Sequence, residues 1–265
     1  MNASIDQDPG DQVGRGPDFV QSLERGLAVI RAFDADNPEL SLSDVARATG
    51  LTRAAARRFL HTLVELGYVR TDGRRFALRP RVLELGYSYL SSLSLPELAL
   101  PHMKHLVEQV HESCSLAILD GEDVVYVARV PAKRIMSVAI SVGTRFPAYA
   151  TSMGRVLLAH ADPRWLDEHL AAVRMRPLTR RTVTDPEKLR SLLARVRSRG
   201  FCVVDQELEE GLRSIAVPVR DSRNDVVAAM NVSAHISRGS AEAIRRELLP
   251  SLLEAARAVS EDAKL

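Results

Sequence analysis

The cations of this chain are concentrated in one stretch. Between Ser41 and Arg81 stand nine arginines (47, 53, 57, 58, 70, 74, 75, 79 and 81) against three acids (Asp44, Glu65 and Asp72), a net +6 inside a chain whose formal charge is only +2. A local basic face of this kind suits a phosphate backbone, because every phosphate it neutralises releases condensed counterions. One run within it has a second property. Placed on a helix, Arg53 and Arg57 share a stripe with the small Ala54 and Ala55, while Ala56, Phe59, Leu60 and Leu63 form the opposite, apolar stripe. Small residues let a helix approach base edges closely, and an alanine methyl can meet a thymine methyl. Arg53 and Arg57 can reach guanine edges or phosphates, and Thr52 can cap the helix and bond a phosphate. Arg58, Arg70, Arg74 and Arg75 are better placed for backbone contacts from the helix flank and a following hairpin. Ser43, read as the N-cap of the preceding helix, joins this candidate nucleic-acid face. A module of the same shape that binds protein is the alternative; the concentrated charge and the small-residue stripe argue against it.

Other chemistry-bearing residues carry weaker signals. His102 and His105 sit at i, i+3, a spacing compatible with a shared metal, but no third ligand is evident and a solvated helix face is the better reading. Cys114 and Cys202 stand far apart without a CxxC partner, so neither a disulfide framework nor a zinc site is expected, and a reducing cytoplasm fits. No GxSxG elbow, HExxH, P-loop or GxGxxG follows a suitable strand, so no enzyme activity and no cofactor are expected. No signal segment and no apolar run near membrane-spanning length is present.

The elements that must position the basic face follow from periodicity. Residues 1–17 have almost nothing to bury and read as a tail. Phe19, Leu23, Leu27, Ile30 and Phe33 mark one face of a first helix, ended by Asn37 and Pro38. A short helix starts near Ser43 and breaks at Gly50; a longer one runs from Thr52 to about Leu66; and Asp72-Gly73 between two short alternating runs predicts a hairpin. This is the order of a winged helix-turn-helix, over 18–79. Residues 80–95 read as a linker helix apolar on more than one face, with Pro96 and Pro101 marking the boundary of a second domain, 96–265. There, strands are expected at 115–119, 124–130, 135–142, 201–204, 215–220 and 226–233, with helices at 152–160, 164–172, 186–199 and 240–260. Short distances between strands imply an antiparallel sheet, so the fold class is α+β.

Several segments together resemble the IclR family of bacterial regulators: 20–27 (VQSLERGL), 42–46 (LSDVA) through 66–69 (LGYV), 143–147 (GTRFP), 152–159 (SMGRVLLA) and 209–219 (EEGLRSIAVPV). Residues 134–138 (RIMSV), 143–158 and 205–215 (DQELEEGLRSI) are similar to the branch governing protocatechuate, 4-hydroxybenzoate and β-ketoadipate catabolism. The resemblance implies a GAF-like effector domain, operator DNA as partner, an aromatic acid or its ring-opened dicarboxylate as effector, assembly as dimers or tetramers, and RNA polymerase as a partner if the protein activates. Two other readings keep the fold: a different effector such as a keto acid, or a repressor without an effector.

A carboxylate effector needs cationic or N–H donors in a partly closed cavity. The helix beginning near Ser152 offers free N–H groups, joined by the Thr151 and Ser152 hydroxyls and by Gly154, which would let a ligand approach the backbone. The family's pocket positions match Asp205, Ser214, Asn231 and Ser233. Met136, Ala150 and Met153 are expected on the apolar side, and Arg134, Arg145 and Arg155 as candidate counter-ions, with Arg145 alternatively structural. Asp205 facing an anion would be repulsive unless it accepts from a ligand hydroxyl or an arginine neutralises it. Glu207, Glu209 and Glu210 read as a solvated acidic loop.

Overall fold

The computed structural model describes residues 18–85, 94–132 and 140–263, and the chain divides into two compact units, Met1–Tyr89 and Leu90–Leu265. The first unit contains α1 (Gln21–Arg31), β1 (Glu39–Ser41), α2 (Leu42–Thr49), α3 (Arg53–Glu65), β2 (Val69–Thr71) and β3 (Arg75–Leu78). Its core is the apolar stripe of each helix brought together: Val29, Val45, Ala56, Leu60 and Leu63 pack with Leu40, Val69 and Phe76 from the strands. The turn between α2 and α3 depends on Gly50, which ends α2 at φ +65, a conformation that costs a side chain with a Cβ. The hairpin closes through Asp72, whose Oδ1 accepts from the amides of Arg74 and Arg75 at 2.8 and 2.7 Å.

One local expectation is corrected here. The N-cap of α2 is Ser41, not Ser43. Ser41 holds extended backbone at the end of β1, its hydroxyl accepts from the Asp44 amide, and Asp44 Oδ2 accepts from the Ser41 amide at 3.1 Å, a reciprocal capping box. Ser43 therefore lies inside the helix, half-buried. Residues Glu39–Ser41 form β1, a strand not expected from the sequence, which pairs antiparallel with β3 to give a three-stranded sheet in the order β1-β3-β2. Of the expected linker helix 80–95, residues 80–85 and 94–95 are described. Pro80–Val82 form a 3-10 turn that leads into helical backbone at 83–85; 86–93 lie outside the described residues.

In the second unit, α4 (Ser94–Val110) is followed by β4 (Ser113–Asp120), β5 (Asp123–Val130), β6 (Arg145–Pro147), α5 (Ser152–His160), α6 (Pro163–Ala172), α7 (Pro186–Arg199), β7 (Cys202–Asp205), β8 (Leu212–Arg220), β9 (Val226–His235) and α8 (Ala241–Asp262). The six strands form one antiparallel sheet in the order β6-β5-β4-β9-β8-β7. Alternation sends each strand's side chains to two faces. On one face Leu116, Met230, Val232, Ile215 and Val217 pack against α4 and α8, through Met103, Leu106, Leu248 and Leu252. On the other, Ala117, Tyr126, Ala216 and Ala229 pack against α5 and α7, through Met153, Val156, Leu189 and Leu193. Pro96 and Pro101 do not bound α4: Pro96 falls in its first turn, where a missing N–H costs nothing, and Pro101 lies within it. The expected strand 135–142 lies mostly outside the described residues, and its described end, 140–142, is not strand; β6, not expected from the sequence, pairs with β5.

Candidate functional site

The basic face is assembled on one continuous segment. Thr52 caps α3, its hydroxyl accepting from the Ala55 amide at 3.2 Å. The helix buries Ala56, Leu60 and Leu63 and leaves Arg53, Ala54, Arg57 and Arg58 exposed, with Ala55 half-buried. Arg74 and Arg75 are exposed at the hairpin. None of these five arginines is ion-paired among the described residues, so their charge is available to a partner. Two other arginines of the stretch are committed elsewhere. Arg70, expected at a phosphate, pairs with Glu39 at 2.7 Å across the small sheet. Arg81 donates to the Leu66 carbonyl at 2.9 Å and stacks over the Tyr68 ring, a structural role at the end of α3.

The second unit contains a cavity of about 390 Å³, within the span of small-molecule pockets. It lies on the α5 side of the sheet. Ala150, Thr151 and Ser152 at the start of α5 form one wall, and Leu208 to Gly211, in the loop after β7, form another. The sheet contributes Ser214, Asn231, Ser233, Tyr126 and Arg129. Register explains this polar row. Asn231 pairs with Ser115, which pairs on its other side with Arg129, and Ser233 lies between Ser113 and Ser214, so polar residues on neighbouring strands point to one face. Tyr126, Ile140, Phe146, Val204 and Leu208 supply the apolar lining. Burial raises the Tyr126 phenol to about 12, so it presents a neutral ring and hydroxyl.

Three groups in this cavity lack the partners their burial demands. Ser152 Oγ and Asn231 Oδ1 are buried with no hydrogen-bond partner among the described residues. Such orphans cost about 1–3 kcal/mol each unless a ligand or water satisfies them. Arg129 is ion-paired to no carboxylate among the described residues, although Glu112, Glu209 and Glu210 also line the cavity. Its hydrogen-bond partner is Ser115 Oγ, accepting at 3.2 Å, and burial pulls its pKa below the usual guanidinium range. At the head of α5 the Thr151 hydroxyl accepts from the Gly154 amide at 3.0 Å, satisfying one amide of the first turn.

The expected site residues thus divide. Ala150, Thr151, Ser152, Ser214, Asn231 and Ser233 are brought together at the cavity. Arg134 and Met136 lie outside the described residues. Met153 is fully buried in the core under α5 rather than lining the cavity. Gly154 serves packing, not ligand approach: a Cβ there would stand 2.2 Å from the Ala148 carbonyl oxygen. Arg145 takes the structural alternative, holding Asp120 and Asp123 at 2.6 and 3.1 Å. Arg155 is not a counter-ion for a ligand. It is 2% exposed, and its fork donates to both carboxylate oxygens of Glu207 at 2.7 and 2.6 Å. Glu207 is consequently no solvated acid. Asp205 does not line the cavity; it accepts from Arg213 at 2.8 Å and Arg181 at 2.7 Å. Burial works against its charge, but these two cations outweigh it and hold the carboxyl below its ordinary range. His102 bonds Asp262 and His105 bonds Gln109, and no cluster able to hold a metal occurs among the described residues. Arg129 was missed from sequence, although it is the only charged residue inside the otherwise apolar run 124–130, a pattern that marks a cation facing something specific.

Comparison with known proteins agrees with this architecture. The model of the IclR helix-turn-helix domain matches residues 22–73, and that of the C-terminal region of IclR-type bacterial transcriptional regulators matches residues 87–261. The chain is 48% identical over 242 residues to the Pca regulon regulatory protein of Pseudomonas putida, covering 91% of this chain and 83% of that one. Among solved structures, a transcriptional regulator of Rhodococcus sp. RHA1 superposes with a TM-score of 0.84 at 57% identity, covering 92% of this chain and 98% of the other. An IclR homologue of Microbacterium hydrocarbonoxydans in complex with 4-hydroxybenzoate superposes with a TM-score of 0.81 at 30% identity, covering 91% and 98%. With a helix-turn-helix whose outward face is arginine-rich and a sheet domain that encloses a cavity, the chain belongs to the IclR family of bacterial transcriptional regulators.

Proposed function

We propose that this regulator binds operator DNA through α3 and the β2–β3 hairpin, and that a small aromatic hydroxy acid or its ring-opened dicarboxylate, of the protocatechuate, 4-hydroxybenzoate and β-ketoadipate type, binds in the α5-side cavity and changes operator affinity. The observation that carries the effector half is the part-buried Arg129, in no ion pair among the described residues, in a mostly apolar cavity that also holds the orphaned Ser152 and Asn231. A guanidinium there can take a carboxylate in a bidentate pair, the apolar lining suits a ring or carbon chain, and Ser152, Asn231, Ser214 and Ser233 suit the polar group at the other end. The names of the relatives support the same chemistry, one a regulator of a Pca regulon and one solved with 4-hydroxybenzoate.

In the DNA half, Thr52, Arg53, Ala54, Ala55 and Arg57 meet base edges and phosphates in the major groove, and Ser43, Arg58, Arg74 and Arg75 meet the backbone. The protein acts in the cytoplasm, and among the described residues no helix is long and apolar enough to cross a membrane. Two or four copies present paired α3 helices to paired half-sites, residues 80–95 join the two domains, and RNA polymerase is the further partner where the protein activates. The effector can shift operator affinity only by its differential affinity for two arrangements of the assembly. Fluorescence anisotropy of labelled DNA from upstream of the gene and its neighbours, with and without each of the three acids, tests the reading. Site-selective, salt-dependent binding altered by one acid is expected. Selective binding that no acid alters would remove the effector assignment.

A further inference from the structure

The two walls of the cavity come from sequence segments more than fifty residues apart, and one buried ion pair joins them. Arg155 lies on the first turn of α5. Besides its fork to Glu207, its Nε donates to the Tyr149 carbonyl at 2.8 Å and so holds the 148–150 turn that precedes the helix. Glu207 lies in the loop 206–211. Its Oε2 also accepts from the Val183 amide at 2.9 Å, and its carbonyl accepts from the Thr182 hydroxyl at 2.7 Å. The loop needs such an anchor, because its entry is strained: Gln206 holds φ +62 without being glycine. Immediately beyond the anchor on each side stand cavity residues, Ala150 to Ser152 on one wall and Leu208 to Gly211 on the other.

We infer that the Arg155–Glu207 pair is a positioning clamp that sets the separation of the two cavity walls, so that effector affinity depends on residues that do not touch the effector. A buried pair of this kind adds little net stability over packed apolar residues of the same volume, so its distinctive product here is geometry. Arg155 is held in place by a fork of two bonds and a third to the backbone, and only a guanidinium supplies all three at once.

The inference rests on the effector reading for its ligand arm alone, and one further measurement is independent of any ligand. The variant to make is Arg155→Met with Glu207→Leu, which removes both charges together and so avoids the uncompensated acid that Arg155→Ala alone would leave buried. In ligand-free protein, amide hydrogen exchange at 150–154 and 206–211 is expected to quicken about tenfold, with α8 unchanged. By calorimetry, the acid that binds the wild type is expected to bind the variant about tenfold more weakly, a loss not rescued by Arg155→Lys, which keeps the charge but not the fork. Unchanged exchange in the two segments, or unchanged affinity in a folded variant, overturns the clamp. If the wild type binds none of the acids, the effector reading falls, and the exchange comparison still decides the clamp.

Discussion

In the N-terminal unit the candidate functional side chains come from residues 43–75 and point outward from a small core; in the C-terminal unit those lining the cavity come from residues 112–235 and point inward. The arginines of the two units behave accordingly. Arg53, Arg57, Arg58, Arg74 and Arg75 are exposed and unpaired, whereas Arg155 and Arg213 are buried and spent on Glu207 and Asp205. An exposed arginine can stay unpaired at little cost to the fold, as these five do, or join a surface pair, as Arg70 and Arg145 do. A buried one must be matched inside the protein, and its removal leaves an acid stranded. Of the arginines described at the cavity, Arg129 escapes this division: it is partly buried and yet in no ion pair among the described residues. The same residue type therefore means different things in the two units: a buried arginine must find its acid inside the protein, whereas an exposed one is left the choice.

The comparison can be sharpened by substitutions that should act on one unit alone. Arg155→Ala is expected to cost the sensing unit about 3–5 kcal/mol, read as a lowered urea midpoint, because Glu207 stays buried without a partner. Arg53→Ala or Arg57→Ala should leave that midpoint unchanged while weakening operator binding roughly 5- to 150-fold for a residue that reads a base, or lowering the salt slope by about 1 for one that meets a phosphate. Full operator affinity in both variants would break the docking assignment. Arg129→Met should leave operator affinity intact and weaken the acid about 10- to 150-fold by calorimetry, the value of a hydrogen-bonded charge. An unchanged acid affinity would move the carboxylate elsewhere.

Thr52→Ala probes where the comparison should fail. Its hydroxyl caps α3 as well as standing at the DNA face, so it should cost about 0.5–2 kcal/mol of stability in addition to any loss of operator binding. The smallest effect is a pH dependence confined to the sensing unit. Burial lowers the pKa of His160 and of His169 below the ordinary 6.5. The unfolded chain therefore takes up protons first, and the stability these neutral rings contribute is present above 6.5 and declines as the pH falls through their lower folded values. Urea midpoints measured between pH 7.5 and about 5 should decline less steeply in a His160→Gln variant than in the wild type.

Local patterns carried most of the fold. Periodicity located α3, α5, α7 and five of the six strands in the large sheet, because amphipathic stripes and alternation are properties of neighbouring residues. The boundary errors were equally local in cause: Ser41 competes with Ser43 for the cap, and Asp44, three residues beyond Ser41, completes the reciprocal bonds that decide it. Pro101 did not end α4, since packing of Met103 and Leu106 into the core outweighs one lost hydrogen bond.

By itself the sequence determined that this chain has an arginine-rich helix with one small-residue stripe, a hairpin beside it and a separate antiparallel sheet domain, because charge density, periodicity and turn residues are all written within short windows. Only the tertiary structure decided which polar residues of that second domain line its cavity. Arg155, Glu207 and Asp205 look as available as Arg129 in the sequence, but a buried charge takes its role from the partner the fold sets opposite it, and those partners lie between eight and fifty-two residues away.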